Sequence, residues 1–220
     1  AFGFVIPIVL AIMLNETPVG KLFFRTVFYL PTVISGIIIM LLWKVIYLPN
    51  EMGLLNQIIR QVSDVTGLVG LDFYDGPIDW LGQNPILAMA CVVIPGIWSG
   101  AGAGSILYLA ALKTVPEDLY EAVALDGGGY FHRIRHIIVP TLLPLIVINF
   151  LGALIGAFHA MANVFVMTGG GPVNGTRIIG LDIWANAFVF LKMGFATAEA
   201  WILGLMLIGF TLLQMRILKR

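Results

Sequence analysis

The sequence is poor in charge and in cysteine, and both shortages limit what the chain can be. Lys, Arg, Asp and Glu make up 11% of its 220 residues and their charges cancel, whereas roughly a quarter of the residues of a soluble domain are charged. A net charge of zero offers no electrostatic basis for binding nucleic acid or an acidic partner. Cys91 is the only cysteine, so an internal disulfide is excluded, and its apolar surroundings favour a buried thiol over a reactive one.

What the chain has instead is apolar sequence in long runs. Hydrophobic residues account for 60% of it and the mean hydropathy is +0.99, which indicates an integral membrane protein. A membrane helix needs about 20 apolar residues, and residues 1–14 are too few, so they predict the second half of a span. The complete predicted spans are 23–47, 85–112, 142–163 and 194–213. The predicted fold is therefore all-α, a single polytopic transmembrane helix bundle over 1–220 with about five spans.

Two of these spans carry features that predict their packing. Pro31 interrupts 23–47 and predicts a kink, because proline leaves a backbone carbonyl without its helical partner. Gly96, Gly100 and Gly104 recur at every fourth position of 85–112. Helices in lipid approach one another through small residues, so this row predicts a helix-packing face rather than a pore lining.

A short polar stretch, Pro116 to Pro140, interrupts the apolar runs. Thr114 and Glu117 have the spacing of a capping box, which predicts the start of a helix. Three consecutive glycines, Gly127–Gly129, predict its end. A second amphipathic helix follows, with Phe131, Ile134, Ile137 and Ile138 on its apolar side, and Pro140 is expected to close it. The stretch thus predicts a helix–turn–helix at the membrane surface.

Basic residues near the span ends predict the orientation, because they are enriched on the cytoplasmic side. Eight fall on one side of the predicted spans and four on the other. The first side carries Lys21, Arg25, Lys113, Arg133, Arg135, Arg216, Lys219 and Arg220; the second carries Lys44, Arg60, Arg177 and Lys192. This places the polar helix–turn–helix and the C-terminus in the cytoplasm.

The polar stretch resembles the EAA loop of ABC-importer permeases. Glu121-Ala122-Val123-Ala124-Leu125-Asp126-Gly127, then Ile137 and Pro140, follow the family pattern of EAA, two residues, DG and I-x-x-P. The segments FFRTVFYLPTVISGIIIMLLWKVI, MGLLNQ, VPEDLYEAVALDGG, RHIIVPTLLP and FVMTGGGPVNGT are similar to the maltose- and glycerol-phosphate-type sugar permeases, nearly from end to end. Val123 departs from the second alanine of the motif and enlarges the expected docking face, and Gly128-Gly129 replaces the usual small pair. The resemblance implies that the first helix of the family is missing from the given sequence.

The resemblance implies a type I ABC-importer permease fold and a function. The chain would be the permease subunit of an ATP-driven importer for a sugar or sugar-like solute, in the inner membrane of a prokaryote. In the family the loop, here 113–140, forms a coupling helix that inserts into a cleft on the cytoplasmic ATPase. The implied coupling residues are Glu121, Ala122, Val123, Asp126, Gly127, Ile137 and Pro140. Glu121 and Asp126 would pair with basic residues of the ATPase or be solvated.

The resemblance also implies the partners of the chain. These are a pair of ABC ATPases that hold ATP and Mg²⁺, a second permease subunit of different sequence, an extracytoplasmic solute-binding protein and membrane lipid, with no nucleic acid. The chain itself would bind no cofactor or metal and would hold no catalytic residue.

Polar residues inside the spans are the candidates for a solute path, because such groups usually face the bundle interior or a wet cavity. Asn149, His159 and Asn163 are the first candidates, the last two sharing a helix face at i, i+4. Trp98 and Ser99 are weaker ones. For each, the alternative role is a hydrogen bond between helices or anchoring at the interface.

Two other classes of protein remain as alternatives. An intramembrane enzyme is disfavoured, because the spans hold no HExxH, no paired aspartates and no Ser/His pair at a familiar spacing. A passive channel would have no use for a capped docking helix, and neither a charged ring nor a filter sequence is visible. A permease for another small solute stays open as well.

Overall fold

The computed structural model describes residues 2–16, 21–67 and 76–218. Within them the chain is helical and forms no strand, which confirms the all-α class. The α-helices are α1 (Val5–Glu16), α2 (Lys21–Val33), α3 (Gly36–Ile46), α4 (Leu54–Gly67), α5 (Pro85–Leu112), α6 (Glu117–Leu125), α7 (Tyr130–Arg133), α8 (Val139–Phe158), α9 (Met161–Met167), α10 (Ile179–Trp184) and α11 (Met193–Leu218). A 3₁₀ turn covers Phe2–Phe4, and π-helical turns cover Ile134–Ile138 and Ala185–Val189. Lys219, Arg220 and the side chain of Lys21 lie outside the described residues.

Three helices of the described residues are long and apolar enough to cross a membrane: Pro85–Leu112, Tyr130–Phe158 and Met193–Arg216. Helices α2 and α3 are apolar enough to form a further span together, but a short break between them bends the chain by 100°. If this broken pair is counted as one span, the described residues have four crossings. Helix α5 covers the same residues as the predicted span 85–112. The short apolar helix α1 falls within the predicted half-span at the start of the chain, apart from its last two residues.

The break in the predicted span 23–47 lies at Ile34–Ser35 and not at Pro31. Helix α2 continues through Pro31 to Val33, and Ser35 then adopts an extended conformation with ψ of 134° before α3 begins. Two β-branched residues precede the break and a glycine follows it, and both residue types have lower helix propensity than Ala or Leu. The bend is therefore larger than the expected proline kink and is placed elsewhere.

Pro140 does not close the second amphipathic helix, contrary to the prediction. The helix runs on from Tyr130 to Phe158, with Pro140 and Pro144 inside it. A π-helical turn precedes Pro140, and the Val139 N–H donates to the carbonyl of Ile134, five residues back. A single π turn of this kind shifts the hydrogen-bond register and accommodates the missing proline N–H. The predicted span 142–163 accordingly starts earlier, and its helix ends at Phe158.

The chain divides into two compact units, and the first comprises Ala1–Val33, Ile97–Ala157 and Trp201–Arg220. The buried core of this unit is formed by Leu10, Ala11, Leu14, Ala101, Tyr108, Leu109, Leu112, Ile138 and Leu142. Gly102 lets α5 touch the backbone of α2, because a side chain there would overlap the carbonyl of Phe28. Of the predicted glycine row, Gly104 packs on Pro7, whereas a Cβ added at Gly100 would meet nothing within 4 Å. Close packing thus uses Gly102, which the row did not include.

The second unit comprises Ile34–Gly96 and Phe158–Ala200. Its core is formed by Ile39, Met40, Tyr47, Cys91, Val92, Val164, Met167 and Leu181. Cys91 is free and buried, as predicted. Helix α3 packs on α9, and the Lys44 ammonium donates to the Val166 carbonyl over 3.2 Å. That carbonyl belongs to the last turn of α9, where the helix itself provides no N–H donor for the carbonyl groups.

A buried asparagine organises the polar connection after α3 in the second unit. The Asn56 amide nitrogen donates to the carbonyls of Leu48, Asn50 and Ile78 over 3.1 to 3.3 Å. Its oxygen accepts from the Ile78 N–H and the Trp80 indole, each over 3.1 Å. One side chain thereby contacts five backbone or indole groups, with its two N–H groups shared among the three carbonyls, and holds the start of α4 against the segment that leads to α5.

Candidate functional site

The polar stretch between α5 and the Tyr130–Phe158 helix contains the coupling residues that the sequence singles out. Helix α6 begins at Glu117, after Pro116 at the capping position, and no side chain caps it. The predicted capping box is wrong, because the Thr114 hydroxyl donates to the Ala111 carbonyl over 2.8 Å and so ends α5 instead. Glu117 and Asp118 in the first turn still favour the helix through its dipole.

The glycine stop of α6 is confirmed, and it has the geometry of a Schellman motif. Gly127 has φ of +74°. The Gly127 N–H donates to the Ala124 carbonyl over 3.1 Å, and the Gly128 N–H donates to the Val123 carbonyl over 2.8 Å. Both bonds satisfy carbonyls that the helix end would otherwise leave without partners. The turn therefore ends α6 through its backbone alone.

The glycines at positions 127–129 differ in the structural reason for which glycine is needed. Gly127 needs its positive φ, which glycine adopts without steric cost. A Cβ at Gly128 would lie 2.5 Å from Val123 Cγ1 and 2.8 Å from the Val123 oxygen, so this position needs glycine for close approach. At Gly129, a Cβ would meet nothing within 4 Å, and φ is −79°. Two of the three positions are thus constrained, and the turn is tighter than a loose glycine run.

Most of the predicted coupling residues lie on the exposed surface of α6 and its turn. Glu121, Ala122, Asp126 and Gly127 are exposed, and so is Pro140 further along the chain. Ile137 is buried, so its side chain contributes to packing within the chain and is not exposed to a partner. Within the part of the chain that the structure describes, neither Glu121 nor Asp126 forms an ion pair.

The apolar residues of the stretch are arranged differently from the prediction. Val123 is half-buried and faces Gly128, so it does not enlarge the exposed face of α6. Phe131 is predicted on the apolar side with the isoleucines, yet it is 82% exposed. Leu125, which no sequence pattern singled out, is 88% exposed. A large apolar residue seven positions after Asp118 on the same helix face was the signal that could have identified it.

The inner side of the stretch is fixed to the core of the first unit. Tyr120 of α6 and Ile134 of the π turn pack against the buried cluster that includes Leu112, Ile138 and Leu142. Neither Leu125 nor Phe131 belongs to that cluster. The stretch therefore has an anchored inner side and an exposed outer side that carries two large apolar side chains.

A pair of histidines lies on the helix after the turn. The rings of His132 and His136 are stacked with centroids 4.5 Å apart, and His136 Nδ1 is 3.1 Å from the His132 carbonyl oxygen. Among the described residues, no group of three or more His, Cys, Asp or Glu side chains converges as a metal site would require.

Three of the five solute-path candidates belong to the first unit: Trp98, Ser99 and Asn149. Asn149 is half-buried on α8. Its amide nitrogen is buried and has no hydrogen-bond partner among the described residues. The Ser99 carbonyl accepts from the Thr32 hydroxyl over 3.4 Å, and the Trp98 ring is exposed.

The other two candidates, His159 and Asn163, belong to the second unit. His159 is exposed in the turn between α8 and α9, and Asn163 is half-buried on α9 with its amide nitrogen close to Gly96 of α5. Because the helix is interrupted at His159, the two residues do not share one helix face, and that part of the prediction is wrong.

The second unit also holds a carboxylate within the last long helix. Glu199 of α11 accepts a hydrogen bond from the Asn186 amide over 2.9 Å. Asn186 lies in the π-helical turn Ala185–Val189. A lone acidic residue inside an apolar run was the sequence signal for this pair, and the contact shows that it ties α11 to the preceding turn.

The chain is similar in sequence to known transport proteins. The family described as binding-protein-dependent transport system inner membrane component matches residues 3–220. The chain is 35% identical over 214 residues to the probable ABC transporter permease protein YurN of Bacillus subtilis (strain 168), a match that covers 96% of this chain and 70% of the relative. It is 31% identical to the multiple sugar-binding transport system permease protein MsmF of Streptococcus mutans, covering 98% and 70%.

A solved structure has the same fold. It is a bacterial alginate ABC transporter in complex with an alginate pentasaccharide-bound periplasmic protein, and one of its chains is 26% identical with a TM-score of 0.77. The match covers 97% of this chain and 70% of that chain.

Proposed function

This chain belongs to the family of binding-protein-dependent transport system inner membrane components, and from that membership we propose that it is the permease subunit of an ATP-driven importer for a sugar or sugar-like solute. The names of its relatives support a sugar, since MsmF belongs to a multiple sugar-binding system and the solved neighbour is an alginate transporter. The relatives are named as transporter permeases, so ATP hydrolysis is assigned to partner subunits.

One observation carries the coupling part of the proposal. Helix α6 is anchored on the core of the first unit by Tyr120, while Leu125 and Phe131 project from the stretch almost fully exposed. Large apolar side chains in such positions are typical anchors of a protein interface. A partner that binds Leu125 and Phe131 can move α6. Because the inner side of α6 is packed against the core, this movement is transmitted to the first unit.

The partner proposed for this surface is a cytoplasmic ABC ATPase, two copies of which would bind ATP and Mg²⁺. Glu121 and Asp126 are exposed without an internal ion pair in the described part of the chain, so they are available to basic groups of the ATPase. A second permease subunit of different sequence and an extracytoplasmic solute-binding protein complete the proposed assembly. The α6 stretch and the C-terminus would face the cytoplasm of a prokaryotic cell.

The proposed solute path includes Asn149, with Trp98, Ser99, His159 and Asn163 as further candidates. The unpaired amide nitrogen of Asn149 supports its place, because a buried donor without an acceptor costs about 1–3 kcal/mol. A sugar hydroxyl supplies such an acceptor, and the exposed ring of Trp98 offers an apolar face to a sugar ring.

The test uses the full-length protein assembled with its companion permease and ATPases in proteoliposomes. Replacing Leu125 by Ser should lower ATP-driven sugar uptake about tenfold, because an interface anchor is lost while an almost fully exposed residue contributes little to folding. Leu22, also highly exposed but on α2, provides the matched control. Leu22→Ser should leave ATP-driven uptake within about twofold of wild type.

Crosslinking identifies the partner in the same assembly. A cysteine at Ala122 is paired with cysteines along the ATPase cleft, and the native Cys91 is buried and stays unreactive. Crosslinks that change with ATP support the coupling role of α6. Normal uptake in Leu125→Ser, or no crosslink in an intact assembly, would remove that role, and uptake by wild type without ATP would indicate a passive channel.

A further inference from the structure

The segment Thr168–Arg177, here termed the outer loop, is held rigidly by its own side chains. Thr176 is completely buried, and its hydroxyl lies 2.6 Å from Thr168 Oγ1 and donates to the Gly171 carbonyl over 2.7 Å. Gly175 packs directly on Pro85 at the start of α5. Arg177 forms an ion pair with Asp182 of α10. These contacts fix both ends of the outer loop within the second unit.

The apex of the outer loop is strained and projects outward. Val173 has φ of +49° and Asn174 has φ of +60°. Asparagine tolerates this left-handed region, whereas a β-branched residue there is a genuine outlier. The Val173 side chain is nevertheless 90% exposed, so packing within the chain does not compensate for the strain. Backbone strain of this kind persists where the surroundings enforce it, and it clusters at binding sites.

We propose that Val173 anchors the extracytoplasmic solute-binding protein to this chain. The inference rests on the proposed function, in which the outer loop lies on the side of the membrane opposite to α6. The partner is a soluble protein with an apolar recess that receives the valine side chain. The solved neighbour is a complex with a periplasmic protein, and a loop that is already rigid loses little conformational entropy when it binds.

The surroundings of Val173 favour a protein partner over the lipid core. Asn174 is exposed beside it, and the Arg177–Asp182 ion pair at the end of the outer loop is about one-third exposed. Placing these charged and amide groups in the hydrocarbon core would cost free energy. They suit the polar rim that surrounds an apolar anchor in a protein interface.

The test measures how solute-loaded binding protein stimulates the ATPase activity of the complete transporter in nanodiscs. Val173→Asn removes the apolar anchor and places a residue that tolerates positive φ. The concentration of binding protein that gives half-maximal stimulation should rise about tenfold. Activity without binding protein should stay unchanged, and the unfolding temperature should not fall. Val173→Gly, which also accepts this φ, should behave in the same way.

Leu22 supplies the matched control, because it is also a highly exposed apolar residue but lies near Arg25, on the side that the proposed orientation places in the cytoplasm. Leu22→Asn should leave the half-maximal concentration within about twofold of wild type. If Val173→Asn and Val173→Gly also stay within that range while wild type is stimulated, the inference is overturned alone. If no solute-binding protein stimulates the wild-type transporter, the proposed function fails, and the inference fails with it.

Discussion

Two glycine triplets follow helices in this chain, Gly127–Gly129 after α6 and Gly169–Gly171 after α9, and they are stabilised in different ways. Backbone hydrogen bonds alone close the first turn. The second is braced by the buried contact between Thr168 and Thr176. In the first, positive φ is confined to Gly127, whereas in the second it extends from the glycines to Val173 and Asn174.

The difference shows that the same tripeptide can serve two mechanical purposes. After α6 it ends a helix and sets the direction of the next one, which requires close backbone approach but no strain. After α9 it begins the outer loop, in which side-chain contacts hold Val173 and Asn174 in a strained, exposed conformation. Substitutions that affect one of the two turns and spare the other test whether the triplets are stabilised in these different ways.

The largest effect is expected for Gly128→Val. The added side chain would overlap Val123 and its carbonyl oxygen, which lie 2.5 and 2.8 Å from the new Cβ. Overpacking of this kind costs about 3 kcal/mol and should open the turn after α6. Limited proteolysis of the purified assembly should show faster cleavage near residues 126–131, together with loss of uptake.

Gly129→Val is the matched control for that variant, since its surroundings are open and its φ of −79° suits valine. It should retain wild-type resistance to protease. Equal sensitivity of the two variants would mean that the triplet is uniformly flexible and that the close approach at Gly128 is unimportant.

A smaller effect is expected for Thr176→Val in the outer loop. The change keeps the shape of the buried side chain but leaves the Gly171 carbonyl without its donor, a loss of about 2 kcal/mol. The thermal unfolding midpoint of the purified subunit should fall. Thr197, whose hydroxyl donates to its own helix at Met193 and which is exposed, is the comparison site. A similar fall for Thr197→Val would show that the bracing of the outer loop is not special.

The smallest effect is expected for Gly127→Ala. Here the penalty is conformational, about 1 kcal/mol for placing alanine at a φ of +74°, and nothing lies within 4 Å of the new methyl group. Gly127→Asn should cost less, because asparagine visits this region more readily. Uptake rates and unfolding midpoints of the two variants should therefore rank Asn above Ala, and the reverse order would argue for a steric rather than a conformational limit.

Features fixed by local sequence could be predicted, and features fixed by packing could not. The bounds of α5 follow from apolar length, and the end of α6 follows from glycine. The passage of the helix through Pro140 depends on a π turn that shifts the hydrogen-bond register, which no residue pattern in the sequence specified. The bend at Ser35 follows β-branched residues and precedes a glycine, and these weak propensities did not outweigh the kink expected at Pro31. The half-burial of Val123 depends on which side of α6 meets the core, and an amphipathic pattern of nine residues is too short to predict that side.

The basic residues counted for orientation have a further consequence for insertion of the chain into the membrane. On the proposed outer side, Arg60 pairs with Glu51 nine residues earlier, and Arg177 pairs with Asp182 five residues later. Lys44 binds a helix-end carbonyl, and Lys192 lies 6.0 Å from the centre of the Phe190 ring. Moving one unpaired charge against a potential of 100 mV requires about 2.3 kcal/mol. In the folded chain each of the two arginines lies beside a carboxylate, so the net charge that would oppose such a movement is smaller than a count of cations suggests.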